Sequence, residues 1–280
     1  MNKKISRYLL LFLLVVILFC GVFFVHNQDM KSRIIVHAMG QNNGLKYTNS
    51  LEGFNSAYKK GYRQFETDLT ITTDKKVVCF HKYSKNIWKN LNISQEKFSY
   101  DEFMSGKVFE NIPHRVTPFD LQDLITLMKT HRNIKIMLHI HSENSFDTDF
   151  VLGKIEKLVG EDEKLYDRFI LGINFIEEFE VIKRHKIKNL EYYISKPAKR
   201  PEGMKNIDDI IKFMNNNGIK TASVPVDVVK NNPKEIKKLK KNNIFIYSFT
   251  TNDMAEMLDL YIKGVNVVGS DLLFKTELGK

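Results

Sequence analysis

The stretch Phe65-Glu66-Thr67-Asp68 is followed, after a polar turn, by a second β-rich run, Val77-Val78-Cys79-Phe80-His81. One residue separates Glu66 from Asp68, so on a strand both carboxylates point to one face, which suits the binding of a hard cation. If the chain folds back in the middle of the turn, two residues lie opposite each other when their numbers add up to about 147. His81 then lies opposite Glu66. The alternative is a solvated strand face with a surface histidine. The main prediction from the hairpin is an imidazole beside a pair of carboxylates.

A second histidine ends an apolar run further upstream, Arg33-Ile34-Ile35-Val36-His37, which is typical of a short buried strand. A loop with two glycines and a polar segment, Tyr47-Thr48-Asn49-Ser50, follows it. Two histidines and two carboxylates are therefore expected at the ends of strands.

Several motifs occur here in the order found in glycerophosphodiester phosphodiesterases: His37-Ala38-Met39-Gly40, Thr48-Asn49-Ser50-Leu51-Glu52-Gly53-Phe54, Glu66-Thr67-Asp68, Thr73-Asp74 and Val78-Cys79-Phe80-His81. From about Ile34 to the C-terminus the chain resembles this family, which belongs to the PLC-like phosphodiesterases together with phosphatidylinositol phospholipases C and sphingomyelinase D enzymes. The resemblance is specific in the first third of the chain and looser after it. It implies that the chain is a phosphoric diester hydrolase.

Eight candidate strands alternate with helical patterns along the chain. They cover residues 33–37, 63–68, 134–140, 168–173, 190–195, 219–224, 244–249 and 265–270, and residues 77–81 form an extra arm of the second strand. Such alternation predicts a parallel sheet, and eight units close it into a barrel of roughly 250 residues. The fold class is therefore α/β, a TIM-type (β/α)₈ barrel over residues 34–280. The alternative, an open doubly wound sheet, lacks a glycine-rich phosphate loop after any strand.

One segment interrupts the alternation. Residues 83–116 are long, polar and rich in aromatic side chains, and they follow directly after a predicted site histidine. They are predicted to form an insertion that shapes the mouth of the barrel.

The N-terminal residues 8–25 form an uninterrupted apolar run, and Lys3, Lys4 and Arg7 precede it. The run is long enough to cross a bilayer as a helix, and no small-x-small cleavage site follows it. An N-terminal transmembrane helix is therefore predicted to stay attached as a signal anchor, with a cleaved signal peptide as the alternative. Residues 1–33 then form a cytoplasmic basic tip, the anchor and a linker, and the barrel of this single-pass membrane protein lies on the extracytoplasmic side.

Charge and cysteine content limit the other possibilities. The net charge of +10 falls to +6 after residue 33, where 38 basic and 32 acidic residues remain. This excess is spread over lysine-rich helices, and no cluster of basic and aromatic residues indicates a nucleic-acid partner. The cysteines, Cys20 and Cys79, are too few for a disulfide scaffold.

The third barrel strand contains two histidines that alternate with apolar residues, His139 and His141. They share one face of the strand. The family that the chain resembles usually has an acidic metal ligand here, followed by a lysine two residues later. The resemblance thus implies that His139 is a metal ligand and that His141 contacts the substrate. The alternative is a packed pair of histidines inside the barrel.

Two further positions depart from the family pattern. Ala38 stands where an arginine usually reaches the phosphate, and Lys82 stands where an acid usually follows the second histidine. Lys82 is therefore expected to bind the phosphate, unless it is an ordinary exposed lysine. Asn174, just after the fourth strand, is also expected to face the substrate, and the closing segments 247–252 and 264–271 are expected to line the mouth.

These residues predict a metal-dependent phosphodiester hydrolase acting on glycerophosphodiesters, lipid headgroups or related envelope phosphodiesters. Glu66, Asp68 and His139 would hold one divalent cation, with Mg²⁺, Ca²⁺, Mn²⁺ and Zn²⁺ all open. His37 and His81 would transfer protons, because imidazole titrates near neutral pH. The resemblance implies that a hydroxyl beside the phosphate attacks first. The alternative is a catalytically inactive barrel that binds such headgroups.

Overall fold

The computed structural model describes residues 30–81, 97–112, 115–141, 145–173 and 175–271. Nine strands lie in one sheet: β1 (Ile34–Val36), β2 (Gln64–Ile71), β3 (Val77–Cys79), β4 (Lys135–Ile140), β5 (Phe169–Ile173), β6 (Leu190–Tyr193), β7 (Thr221–Pro225), β8 (Phe245–Phe249) and β9 (Val267–Ser270). Eight of them are parallel to their neighbours, and β3 is an antiparallel arm on β2.

The parallel strands close on themselves in the order β1-β2-β4-β5-β6-β7-β8-β9. Val36 of β1 pairs with Phe65 of β2 on one side and with Ser270 of β9 on the other, so no edge is left between the first and last strands. A closed sheet of eight parallel strands is a TIM-type barrel. The predicted (β/α)₈ barrel is confirmed, and the open doubly wound alternative is wrong.

Helices surround the barrel: α1 (Leu51–Lys59), α2 (Tyr100–Met104), α3 (Leu121–Thr130), α4 (Ser145–Val159), α5 (Glu163–Tyr166), α6 (Ile176–Ile182), α7 (Ile207–Asn216), α8 (Val226–Asn231), α9 (Pro233–Lys241) and α10 (Met254–Lys263). In α7 the apolar residues Ile207, Ile210, Ile211 and Met214 recur at helical spacing and are all buried. The side chain of Asn206 caps its first turn. Such helices bury their apolar stripes against the outside of the sheet.

The predicted register of the hairpin is wrong by one residue. Leu69 pairs with Cys79 and Ile71 with Val77, so the paired positions add up to 148. His81 follows the end of β3 and does not lie opposite Glu66. Its imidazole lies instead close to Asp68 and His141.

The described part of the insertion packs on the outer arm of the sheet. Phe98, Phe103 and Phe109 surround Phe80 at ring-centroid distances of 5.3, 5.6 and 5.9 Å. All four aromatic side chains are buried and form a small core separate from the main one. The insertion is thus anchored by its own apolar cluster next to His81.

The predicted membrane anchor, residues 8–25, lies outside the described residues. Within the part of the chain that is described, none of the helices combines the length and the apolar composition needed to span a bilayer.

Candidate active site

Polar side chains gather at the carboxyl ends of the first barrel strands. His37 begins a short 3₁₀ turn directly after β1, while Glu66 and Asp68 alternate within β2. On β4, His139 is paired in register with Asp68, and His141 follows the end of the strand. Carboxyl ends of the strands in a (β/α)₈ barrel carry the active site, so this position is the expected one.

His37 is held by two carboxylates. Its Nδ1 donates to Asp271 Oδ1 at 2.7 Å, and its Nε2 lies 3.8 Å from Glu66 Oε2. Burial alone lowers the pKa of an imidazole, but the charges of Glu66, Asp271 and Asp68 outweigh it and raise the pKa of His37 to about 9. Asp271 is in turn held by the side chain of Asn252 at 2.8 Å.

Glu66 is fully buried and uses its two carboxylate oxygens differently. Oε2 accepts a hydrogen bond of 2.6 Å from the backbone N–H of Ala38. Ala38 and Met39 are both in the left-handed region, with φ of +46° and +61°, and this tight turn directs the amide into the barrel. Oε1 lies 3.0 Å from His139 Nδ1, but it makes no hydrogen bond of acceptable geometry within the described residues.

Asp68 is fixed from both sides. Asn49 Nδ2 donates to its Oδ2 at 2.9 Å, and His141 Nε2 donates to its Oδ1 at 2.6 Å. Burial raises the pKa of a carboxyl, but His81 and His141 more than offset it, so the pKa of Asp68 is well below its usual range. Asp68 therefore carries its negative charge across the physiological pH range.

Asn49 organises this part of the site from the loop after β1. Its Oδ1 accepts hydrogen bonds from Thr67 Oγ1 and from the backbone N–H of Asp68, at 2.9 and 3.1 Å. It is fully buried and has a φ of +43°, a left-handed conformation that asparagine tolerates better than most residues.

The second predicted catalytic histidine lies across the mouth from the first. The ring of Tyr47 stands edge-on to both, with centroid distances of 4.9 Å to His37 and 5.8 Å to His81. His81 also contacts His141, at 4.3 Å between ring centroids. The two imidazoles thus flank one aromatic ring at the opening of the barrel.

His139 bridges two buried carboxylates. Its Nε2 donates to Glu191 Oε1 at 2.9 Å, and its Nδ1 faces Glu66. Burial lowers its pKa, but Glu66 and Glu191 raise it well above the ordinary value in the protein without metal. Its side chain is 22% exposed and that of His141 is 25% exposed, so the pair borders the opening and is not sealed inside the core.

The donor set at the mouth fits a divalent cation. Glu66, Asp68 and His139 offer ligand atoms that all lie within 4.8 Å of one another. Glu66 Oε1 is a buried carboxylate oxygen without a hydrogen bond in the described residues, which is an unfavourable state unless a cation binds it. A second group, Asp68, His81 and His141, also converges, but a short hydrogen bond already joins His141 to Asp68.

The structure brings together most of the residues predicted from the sequence: His37, Glu66, Asp68, His81, His139 and His141. Lys82 and Asn174, the other predicted substrate contacts, lie outside the described residues. Sequence reasoning gave no individual role to Asn49, Glu191 or Asp271, although Asp271 ends a segment that was expected to line the mouth. Asn49 and Asp271 occur in motifs that resemble the family. Glu191 is a charged residue within an apolar strand pattern, and this signal could have indicated a role.

A cavity of about 540 Å³ opens beside His139 on β4 and His141 just after it. Its walls include the aromatic side chains of Phe175, Tyr192 and Tyr193, and Lys199 lies at its edge. A volume in this range holds a small organic molecule.

Comparison with known proteins places the chain in a family. The sequence profile of the glycerophosphoryl diester phosphodiesterase family matches residues 39–273. A comparison with curated protein sequences finds no match.

Solved structures with the same fold come from several bacteria. A glycerophosphodiester phosphodiesterase from Parabacteroides distasonis aligns with a TM-score of 0.64 at 17% identity, over 86% of this chain and 92% of that chain. A phosphodiesterase from Oleispira antarctica, solved in complex with the product sn-glycerol-3-phosphate, aligns with a TM-score of 0.61 at 14% identity, over 85% and 92%. A glycerophosphodiester phosphodiesterase from Thermotoga maritima aligns with a TM-score of 0.57 at 16% identity, over 85% and 94%.

At such low identity the solved structures show the shared fold, whereas the profile match covers most of the chain. It confirms the family predicted from the motifs, and with it the predicted enzyme class. The chain belongs to the glycerophosphoryl diester phosphodiesterase family.

Proposed function

We propose that this protein is a metal-dependent phosphodiesterase in which His37 and His81 transfer protons beside a divalent cation. The proposal is supported by one observation above all: both histidines flank Tyr47 at the same opening where the buried carboxylates Glu66 and Asp68 converge. Glu66, Asp68 and His139 would hold the cation. When bound, it supplies positive charge that stabilises the phosphoryl oxygens in the transition state.

The bond between His37 and Asp271 supports a role of His37 in proton transfer. Since Asp271 can only accept, His37 Nδ1 carries the hydrogen of their bond, and Nε2 is the nitrogen left to exchange a proton with the substrate. Cleavage needs one group to take a proton from the nucleophile and another to give one to the leaving alkoxide. Two imidazoles on either side of the opening suit these tasks.

The substrate we propose is a glycerophosphodiester, a lipid headgroup or a related envelope phosphodiester. The sn-glycerol-3-phosphate in the Oleispira antarctica structure supports a glycerol phosphate on one side of the bond. The 540 Å³ cavity beside His139 and His141 has room for the alcohol on the other side.

An inactive barrel that binds phosphodiester headgroups is the second candidate. Ala38 provides no phosphate-binding cation, and histidines already contact both carboxylates, His139 at Glu66 and His141 at Asp68. These contacts favour a site whose negative charge is neutralised without a metal.

One experiment separates the two candidates. The full-length protein, purified in mild detergent, is incubated with a panel of glycerophosphodiesters and lipids in the presence of Mg²⁺, Ca²⁺, Mn²⁺ or Zn²⁺, and the released alcohol is measured. We expect turnover that EDTA abolishes and that His37→Ala and His81→Ala each reduce by about 10²–10⁴-fold. Headgroup binding with no turnover under any metal would establish the inactive barrel instead.

We also propose that residues 8–25 anchor the barrel on the extracytoplasmic side of a membrane, which rests on the length of the apolar run and the basic residues before it. Mass spectrometry of the membrane fraction tests the anchor. A mature N-terminus between residues 26 and 32 would show cleavage, and protection of the barrel from protease added to intact cells would refute the orientation.

A further inference from the structure

Glu191 lies next to the proposed metal site without belonging to its ligands. It is on β6, two strands away from β4, and it is 1% exposed. Its Oε1 lies 2.9 Å from His139 Nε2, and its Oε2 makes no hydrogen bond within the described residues. A buried carboxylate with one bond is costly, so its presence requires an explanation.

The contact determines which nitrogen of His139 is available. An ionised carboxylate can only accept hydrogen bonds, so His139 Nε2 must carry the hydrogen in this pair. The other nitrogen, Nδ1, is the one that faces Glu66 Oε1 at 3.0 Å. In the neutral ring, Nδ1 then presents its lone pair to the place where the carboxylates converge.

The neighbouring strand leaves room for this pair. Gly172 lies on β5, between β4 and β6. A Cβ atom at this position would come within 3.0 Å of His139 Cδ2 and 3.2 Å of Glu191 Oε1. A methyl group there would require the imidazole or the carboxylate to shift by a few tenths of an ångström.

We propose that Glu191 is a positioning residue that holds His139 as an Nδ1 ligand of the cation, an inference that rests on the metal site of the proposed function. A carboxylate that accepts from the far nitrogen of a metal-bound histidine fixes its tautomer and orientation and makes it a stronger donor. The carboxylate that the family resemblance implies on β4 is thus replaced by a histidine together with a carboxylate on β6.

Calorimetric titration of the full-length protein with Mn²⁺ at one fixed pH tests this role. Loss of such a partner weakens metal binding by about 10–100-fold, and we expect that increase in Kd for Glu191→Ala. Glu191→Gln keeps an acceptor for Nε2 and should lose less affinity than Glu191→Ala. Gly172→Ala should also weaken binding, although it removes no ligand and no hydrogen-bonding group.

Two controls separate this role from a general loss of structure. Glu156→Ala removes another glutamate that contacts a histidine, His185 Nδ1 at 3.3 Å, and should leave the Kd unchanged. Gly153→Ala adds a methyl group where a Cβ meets no atom within 4 Å. It should also bind Mn²⁺ like the wild type.

A double-mutant cycle with His139→Ala gives the decisive comparison. If Glu191 acts through His139, Glu191→Ala should have almost no further effect on the Kd once the imidazole is absent. With ¹⁵N-labelled histidine and Zn²⁺ bound, NMR should show His139 protonated on Nε2 and metal-bound on Nδ1.

The outcomes are distinct. Three results would each overturn the role of Glu191 and leave the metal site intact. The first is a Kd that His139→Ala raises and Glu191→Ala leaves unchanged. The others are an undiminished effect of Glu191→Ala in the His139→Ala background and Zn²⁺ bound through Nε2. A wild-type protein that binds none of the four cations would overturn the metal site as well.

Discussion

Replacing Asp271 by asparagine tests the electrostatics of His37 without removing a proposed metal ligand. Asp271 Oδ1 accepts the hydrogen bond from His37 Nδ1 at 2.7 Å, and both side chains are buried. The neutral amide removes one of the negative charges that raise the pKa of His37 to about 9 in the metal-free protein. It can also turn its NH₂ group toward Nδ1, which favours the tautomer of His37 that carries its hydrogen on Nε2.

The size of the effect follows from the pKa. A rise from 6.5 to about 9 corresponds to roughly 3 kcal/mol of preference for charged His37 in the folded state. Glu66 shares this effect with Asp271, so we expect the pKa to fall by at least about one unit, or ~1.4 kcal/mol. Because the folded-state pKa is raised, the stabilisation is fully present below about pH 6.5 and is lost as the pH rises through about 9.

Denaturant unfolding of Asp271→Asn and wild type in EDTA therefore has a defined pH signature. The difference in free energy of unfolding should be largest near roughly pH 6 and should shrink above about pH 10. Turnover should fall by about 10²–10⁴-fold at all pH values if the tautomer is wrong.

Lys46 offers the control. Its side chain is partly exposed and its Nζ lies 3.5 Å from Asp271 Oδ2, so Lys46→Gln should cost less than about 1 kcal/mol. An Asp271→Asn effect that is equal at both pH values, or an unchanged NMR titration of His37, would refute the reasoning.

Three further substitutions test other parts of the molecule. Asn49→Ala leaves the Thr67 hydroxyl and the Asp68 amide without their acceptor, at ~1–3 kcal/mol each, so urea unfolding should show a loss of at least about 2 kcal/mol; wild-type stability would contradict this. His81→Ala should reduce turnover while the Kd for Mn²⁺ stays nearly unchanged, and a strongly raised Kd would make His81 a metal ligand instead. Phe103→Ala empties the centre of the aromatic cluster in the insertion and should cost ~3–5 kcal/mol, with faster hydrogen exchange at residues 97–112. Unchanged exchange there would show that this cluster does not hold the insertion.

The barrel was predictable because its signals are local. Apolar runs and helical periodicity identify all eight barrel strands to within three residues at each end. The sequence did not predict the helices α2, α5 and α8. They have only four to six residues each, which is too short for an apolar period to appear.

The hairpin register failed for a different reason. β2 is buried on both faces through most of its length, and β3 is buried throughout. Register is strongly specified where one face is buried and the other is polar, because a slip of one residue then exposes the apolar set. Here both faces are buried, so burial alone does not select one register over its neighbour.

The residues that organise the site were hidden by distance along the chain. Asn49 contacts Asp68 across 19 residues, whereas the His139 and Glu191 pair spans 52 residues. His37 and its partner at the end of β9 are 234 residues apart. A motif can assign a role within itself, but which acid meets which histidine depends on the closure of the barrel.

The partnership of His139 with Glu191 also changes what should happen when the carboxylate expected from the family resemblance is restored. His139→Glu alone would set a new carboxylate against Glu191, within the barrel and next to Glu66. Like charges held this close raise the pKa of one carboxyl, or they destabilise the fold by several kcal/mol. The single substitution should therefore lower the free energy of unfolding and bind Mg²⁺ no better than the wild type does.

Removing the charge at position 191 should relieve this conflict. The double variant His139→Glu with Glu191→Gln keeps a hydrogen-bonding side chain on β6 and gives the cation three carboxylates. It should recover stability and gain preference for Mg²⁺ and Ca²⁺ over Mn²⁺ and Zn²⁺, because hard cations favour oxygen ligands. Urea unfolding and calorimetric titration with the four metals measure both effects. If the single variant is as stable as the wild type and already prefers Mg²⁺, then Glu191 and His139 are not coupled, and the charge on β6 has no part in choosing the metal.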